Sequence, residues 1–319
     1  MTSRLLRGWR VVVGVAVLLV VLLGVDPATV GAAVTRADLR LVIIGVLGLT
    51  AVHLVSAASW RTIHGRMTGR WLPWREAVPV FYAAQAIGGV TPANLGGDLH
   101  RAAVLRGSGQ SWGSAVAPLL VQRATSYLAL SALAIVASAI LAAHAPMAGG
   151  LALVGLAVAI GVAGMAWVLV SPPAPLRDLR DRITGGAPDP LRATGPAAII
   201  GIGSGLAFHG AAIGFTAVIA LAVVPGAPLL PVLAALATAR LALAVPVTPS
   251  GLGIQEGILA ILFTALGLGS SAALAAMLLA RLSLLLTTVI GVVALVRARH
   301  HPDAAAADER LPDASLVGR

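Results

Sequence analysis

Val90-Thr91-Pro92-Ala93-Asn94-Leu95-Gly96 recurs 157 residues later as Val247-Thr248-Pro249-Ser250-Gly251-Leu252-Gly253, with five of the seven positions identical. One inserted residue carries the echo onward, so that Asp98 falls opposite Glu256 and Arg123 opposite Arg281. Gly109 meets Gly267, Ala115 meets Ala273 and Leu120 meets Leu278 in the same register. A shared Pro-Gly interruption followed by an acid and an arginine at matched spacing marks a duplicated unit. In an apolar chain, a duplicated broken helix is the best sequence pointer to a binding site.

The surroundings are apolar throughout. Of 319 residues, 58% are hydrophobic and 11% charged, with a mean hydropathy of +0.95; a soluble domain carries about 25% charged residues. The chain therefore reads as an integral membrane protein. Cysteine is absent, which excludes disulfides and thiolate chemistry, and all 22 basic residues are arginine. The net charge of +10 falls mostly in short connections between apolar runs. Anionic headgroups and membrane orientation account for it, and nucleic acid is not an expected partner.

Runs of about 20 apolar residues span a bilayer. The expected spans lie near 9–30, 39–59, 113–143, 148–170, 195–223 and 271–296. Two further stretches, near 76–108 and 229–269, carry the Pro-Gly motif. Arg4, Arg7 and Arg10 before the first run suit an uncleaved signal-anchor. Arg61, Arg66, Arg70 and Arg75, the central Arg177–Arg192 loop, and Arg297 with Arg299 all fall on one side if both termini are cytoplasmic. Arg36 and Arg40 are exceptions, partly offset by Asp26 and Asp38, while Trp60, Trp71 and Trp74 fit an interfacial belt. This topology makes the repeats inverted. The expected fold is all-α: a polytopic helix bundle forming one membrane domain over 1–299. Repeat 1 covers about 76–143, repeat 2 about 229–298, extra N-terminal helices 9–59, and a disordered cytoplasmic tail 300–319.

Few ionisable groups fall in membrane-embedded sequence: Asp98, Arg123, Arg240, Glu256 and Arg281, with His53 and His209. Each charged group costs about 2.5–3.5 kcal/mol at a helix centre if unpaired, so the set must pair or face water. Two acids cannot neutralise three arginines, and the surplus cation suggests a cavity that accepts an anion, for which arginine's planar fork is suited. The competing reading makes Asp98–Arg123 and Glu256–Arg281, or the crossed pairs, structural locks. His209 and His53 read as satisfied core histidines, and Arg240 has no counterpart in the first repeat, where Ala83 aligns with it.

Pro92, Gly96 and Gly97, and likewise Pro249, Gly251 and Gly253, are expected to release the backbone from helical bonding. Non-helical backbone at membrane depth survives only where protein or a wet cavity satisfies it. The half-helix after each glycine would aim its positive end at the break. A rival account makes Asp98 an N-cap and Glu256 a first-turn acid. Asn94, Gln255, Thr91, Thr248, Gln85 and Gln122 supply neutral hydrogen bonds. Enzyme signatures are missing: there is no His-Glu-x-x-His, phosphate-cradling loop or nucleophile elbow. No catalytic residue, metal site or cofactor is expected.

The motif Pro92-Ala93-Asn94-Leu95-Gly96-Gly97-Asp98-Leu99-His100-Arg101, with Arg123 on the following helix, resembles the lysylphosphatidylglycerol synthase transmembrane-region family of flippase-like membrane proteins. So does Ser250-Gly251-Leu252-Gly253-Ile254-Gln255-Glu256, where Ser250 replaces a frequent Gly and Gln255 a frequent Arg. The resemblance implies movement of an anionic or polar-headed (glyco)lipid between leaflets of a bacterial inner membrane. It also implies as partners an anionic phospholipid or a polyprenyl-linked headgroup, and a separate lipid or glycan synthase, because no aminoacyl-transfer domain is expected in this chain. Three alternatives stay open: a secondary transporter of a small anion, a non-catalytic partner of a synthase, and a membrane-embedded transferase.

Overall fold

The computed structural model describes residues 26–89, 91, 94–144, 156–164, 194–244 and 251–300. Among these there are helices and no strands. In chain order they are α1 (Pro27–Arg36), α2 (Leu39–Ala51), α3 (His53–Thr68), α4 (Trp74–Gly89), α5 (Leu95–Gly107), α6 (Trp112–His144), α7 (156–164), α8 (Thr194–Val223), α9 (Leu229–Arg240) with a 3₁₀ turn over Leu241–Leu243, α10 (Ile254–Ala265) and α11 (Ser270–His300). The all-helical expectation holds, as lipid requires: every backbone polar group must be satisfied within its own segment.

Local signals set the first boundaries. The carboxylate of Asp26 accepts from the Ala28 and Thr29 amides, and Pro27 opens α1; Asp38 does the same for α2 through Arg40 and Leu41. These acids cap helices and do more than offset neighbouring arginines. The expected span 9–30 is thereby cut at its end, since residues 27–30 begin a new helix and residues 9–25 lie outside the described ones.

Four stretches are long and apolar enough to cross a membrane: Leu39–Thr68, Trp112–His144, Gly195–Val223 and Ser270–Ala298. The last three match expectation. The first runs past residue 59, which puts Arg61 and Arg66 on a helix instead of in a loop. Of the expected span 148–170, only α7 is described; the central arginine loop and the tail beyond 300 are outside the described residues.

Trp71 and Trp74 are half-exposed and flank the Arg61 guanidinium, 5.4 and 4.9 Å from their ring centroids, as an interfacial belt would. Trp60 departs from that expectation. It is 1% exposed and packs inside the bundle beside Arg101.

The helix of each interrupted segment that precedes the break packs on a long helix of the other half: α4 lies along α11, and α9 along α6. Helix α8 fills the space between α2, α3 and α6. Apolar faces offer helices no preference for one another over lipid, so close backbone approach carries much of the association. Gly291 shows it best. A Cβ there would collide with the Tyr82 carbonyl oxygen of α4 and come within 2.7 Å of the Ala86 Cβ. Overpacking at such a seam costs about 1–3 kcal/mol, occasionally more. Gly291→Val is therefore expected to lower the unfolding temperature in detergent, whereas Gly210→Val, on a helix face where an added Cβ meets nothing within 4 Å, leaves it nearly unchanged.

Candidate functional site

Both interruptions have well-defined local chemistry. At the first, Thr91 Oγ1 donates to the Gly88 carbonyl and accepts from the Gly96 amide, each at 3.0 Å. Asn94 takes φ 58°, the one positive φ among the described non-glycine residues, and its Nδ2 donates to Gln85 Oε1 at 2.9 Å. At the second, Gly251 and Gly253 have φ 67° and 82°, a region that L side chains rarely adopt. Asn94 and Gly251 occupy the same position of the sequence echo, and both are left-handed. Gly109 and Gly267, also matched, have φ 80° and 76° after α5 and α10. The duplication thus repeats in backbone conformation at these two positions, whereas the matched Gly96 and Gly253 differ.

Two expectations about the breaks change. Gly96 and Gly97 do not interrupt the backbone; both lie in the first turn of α5. Gly97 is there for proximity, since a Cβ would strike the Ala84 carbonyl of α4. Pro92 and Pro249 lie outside the described residues. Asp98 is not the cap of α5, whose N-cap position is Asn94. Glu256 does fit the first-turn reading: its Oε2 accepts from the Gly253 amide at 2.8 Å, which is the carboxylate half of a capping box, Gly253 having no side chain to return the bond.

The acids pair with their matched arginines. Asp98 Oδ2 meets Arg123 Nη2 at 2.5 Å and Asp98 Oδ1 meets Arg101 Nη2 at 2.5 Å. Glu256 Oε1 accepts from Arg281 Nε at 3.0 Å and Nη2 at 2.6 Å. Around these pairs lies a cavity of about 330 Å³. Asp98, Arg123, Arg240, Arg281, Asn94 and Gln255 line it. Glu256 does not. Its side chain is 3% exposed and stands behind Arg281.

Arg101, His53 and His209 belong to this wall as well. Arg101 was not among the expected site residues, although its spacing of three from Asp98 places both on one helical face. Its Nη1 donates to Gln122 Oε1 at 2.9 Å, and its guanidinium lies 5.3 Å from the Trp60 and Phe81 rings, within cation–π range. The two histidines have partners, as the core reading expected, but those partners are cavity groups. His53 Nδ1 lies 3.0 Å from Gln85 Nε2, and His209 Nδ1 accepts from Arg240 Nε at 3.2 Å. Nothing in the local sequence distinguishes such a histidine from a buried structural one.

Four guanidinium groups and two carboxylates therefore meet in and around one cavity, a formal surplus of two positive charges among the described residues. Low-dielectric walls strengthen that field. No three His, Asp or Glu side chains among the described residues converge as a metal site would need. The arrangement is suited to holding an anion by charge and hydrogen bonds.

A model of the lysylphosphatidylglycerol synthase TM region matches residues 9–291. The chain belongs to that family. No individual curated protein matches it. Membership and the four spanning helices together make the chain a multi-pass membrane protein of a lipid-related family. Within the family pattern, Gln255 stands where the resemblance expects a frequent Arg. Its buried side chain lines the cavity, so this wall presents a neutral group there.

Proposed function

We propose that this member of the lysylphosphatidylglycerol synthase TM-region family is a flippase-like carrier. It would move an anionic or polar lipid headgroup between leaflets of a bacterial inner membrane, with both termini cytoplasmic and the two halves inverted about the cavity. The observation that carries the reading is the cationic cavity between two interrupted helices. Its volume, about 330 Å³, sits at the low end of small-molecule sites, about 300–1,000 Å³. That suits a headgroup whose acyl chains stay in lipid. Helices α5 and α10 begin beside it, and the positive ends of helices favour an anion.

In this mechanism the two acids differ. Asp98 faces the cavity and competes with the headgroup for Arg123, so arrival of the anion loosens the Asp98 pair and departure restores it. Glu256 stays buried and holds Arg281 in place. No covalent step is assigned to the chain.

The test is reconstitution into vesicles with leaflet-specific readout of labelled phosphatidylglycerol, a zwitterionic phospholipid and a neutral glycolipid. Loss of one charge-assisted contact, about 1.5–3 kcal/mol, should slow transfer of the anionic lipid by Arg123→Ala at least about tenfold. Wild-type transfer that Arg123→Ala leaves untouched would overturn the site. The size of the cavity also favours a second reading, carriage of a free small anion. Uptake of inorganic phosphate without any lipid movement would decide for it.

A further inference from the structure

Arg240 breaks the correspondence between the halves. The first repeat has Ala83 at its place, and Arg240 is the cavity arginine without a carboxylate partner among the described residues. It is nevertheless held. Its Nε donates to His209 Nδ1 at 3.2 Å, and its guanidinium lies 5.6 Å from the Phe208 ring centroid. A guanidinium Nε is always a donor, so Nδ1 of His209 must be the bare nitrogen and Nε2 must carry the proton. That proton points to Ser126 Oγ, 3.0 Å away. Ser126 and the guanidinium both line the cavity, where the serine's own hydroxyl hydrogen and the two Nη groups have no hydrogen-bond acceptor among the described residues.

Such a relay sets one planar fork in a fixed position with no acid competing for it. Arg123 and Arg281 differ, since each is already engaged by a carboxylate. We propose that Arg240, oriented by His209 and Phe208 and joined by the Ser126 hydroxyl, is a phosphate subsite. There the Nη fork takes two oxygens of a phosphate mono- or diester and Ser126 takes a third. The assignment rests on the anion-carrying reading above and refines it. The anion binds on one half only, and its source is a phospholipid headgroup or free phosphate, which share this chemistry. A tetrahedral phosphate offers a separate oxygen to each of three converging donors, whereas a planar carboxylate has two oxygens to share among them.

The full chain, purified in detergent, is titrated with inorganic phosphate, dihexanoyl phosphatidylglycerol, dihexanoyl glycerol and acetate, with affinity read from ligand-dependent thermal unfolding. At least one phosphate-bearing probe should bind, with dihexanoyl glycerol and acetate at least about tenfold weaker. Arg240→Gln should weaken phosphate binding at least about tenfold, and Arg240→Lys should recover part of it, because the charge returns without the fork. His209→Phe keeps bulk but removes the acceptor, and should weaken binding by about threefold or more; it decides the matter if Arg240→Gln does not fold. Wild-type affinity in Arg240→Gln or His209→Phe, acetate binding as tight as phosphate, or no binding of either phosphate probe overturns the subsite. Binding of a phosphate probe through Arg240 by a protein that moves no lipid in vesicles upholds the subsite and removes the flippase reading. Rapid lipid transfer unaffected by Arg240→Gln does the reverse.

Discussion

Asp98→Ala is expected to be among the most damaging single substitutions in the membrane core, lowering stability by about 3–5 kcal/mol. One carboxylate serves two arginines whose side chains are only 9% and 19% exposed, and its loss leaves both cations uncompensated beside each other. Arg101 suffers more. Its Nε already lacks a hydrogen-bond partner and is buried, so only Gln122 and the faces of Trp60 and Phe81 would remain to it. Thermal unfolding of the purified protein in detergent reads the effect. Asp98→Asn, which keeps an acceptor but no charge, should fall between wild type and Asp98→Ala. The double variant Asp98→Ala/Arg123→Ala should recover part of the loss, since only one cation then lacks its partner. An Asp98→Ala protein as stable as its parent would show that water in the cavity already screens these charges.

Glu256→Ala should cost a similar amount, about 3–5 kcal/mol, for a different reason. Its carboxylate is the more deeply buried of the two and works twice. One oxygen closes the first turn of α10 on the Gly253 amide; the other receives two donors from Arg281. Glu256→Gln retains an acceptor for the cap, so it should lose less stability while still weakening the paired contacts to the Arg281 guanidinium. In the vesicle assay Glu256→Gln should therefore transfer anionic lipid at least about tenfold more slowly despite folding. Comparable stability of Glu256→Ala and wild type would remove the structural role, and full transfer by Glu256→Gln would remove Arg281 from the headgroup contacts.

Much of this site was legible before any coordinates. The echo of Val90–Gly96 in Val247–Gly253 marked both interruptions, and the matched spacing of acid and arginine marked the four charged residues; that they pair directly and not crosswise is seen only in the structure. Those inferences work because the bilayer makes each of these features costly unless it is compensated. What stayed hidden has an equally physical basis. In the sequence Arg101 is only the last residue of the first motif, and it is the inward packing of α5 against Trp60 and Phe81 that buries it. Trp60 looked like one of three belt tryptophans until the extension of α3 to Thr68 turned it inward. Gly96 and Gly97 read as breakers because glycine supports either a break or a close approach, and composition does not separate the two.

The amino-acid sequence alone determined that the chain enters a membrane, where its helices are interrupted and that its embedded acids and arginines must find partners. Each of these follows from the cost of exposing charge or backbone to hydrocarbon. Which helix faces meet was decided by the tertiary structure. On α6 and α8 nearly every side is apolar, because lipid and protein neighbours are alike to an aliphatic side chain. Close seams, such as Gly205 of α8 against Ser126 and Ala129 of α6, help bring His209, Ser126 and Arg240 from three separate helices into one hydrogen-bonded row on the cavity wall.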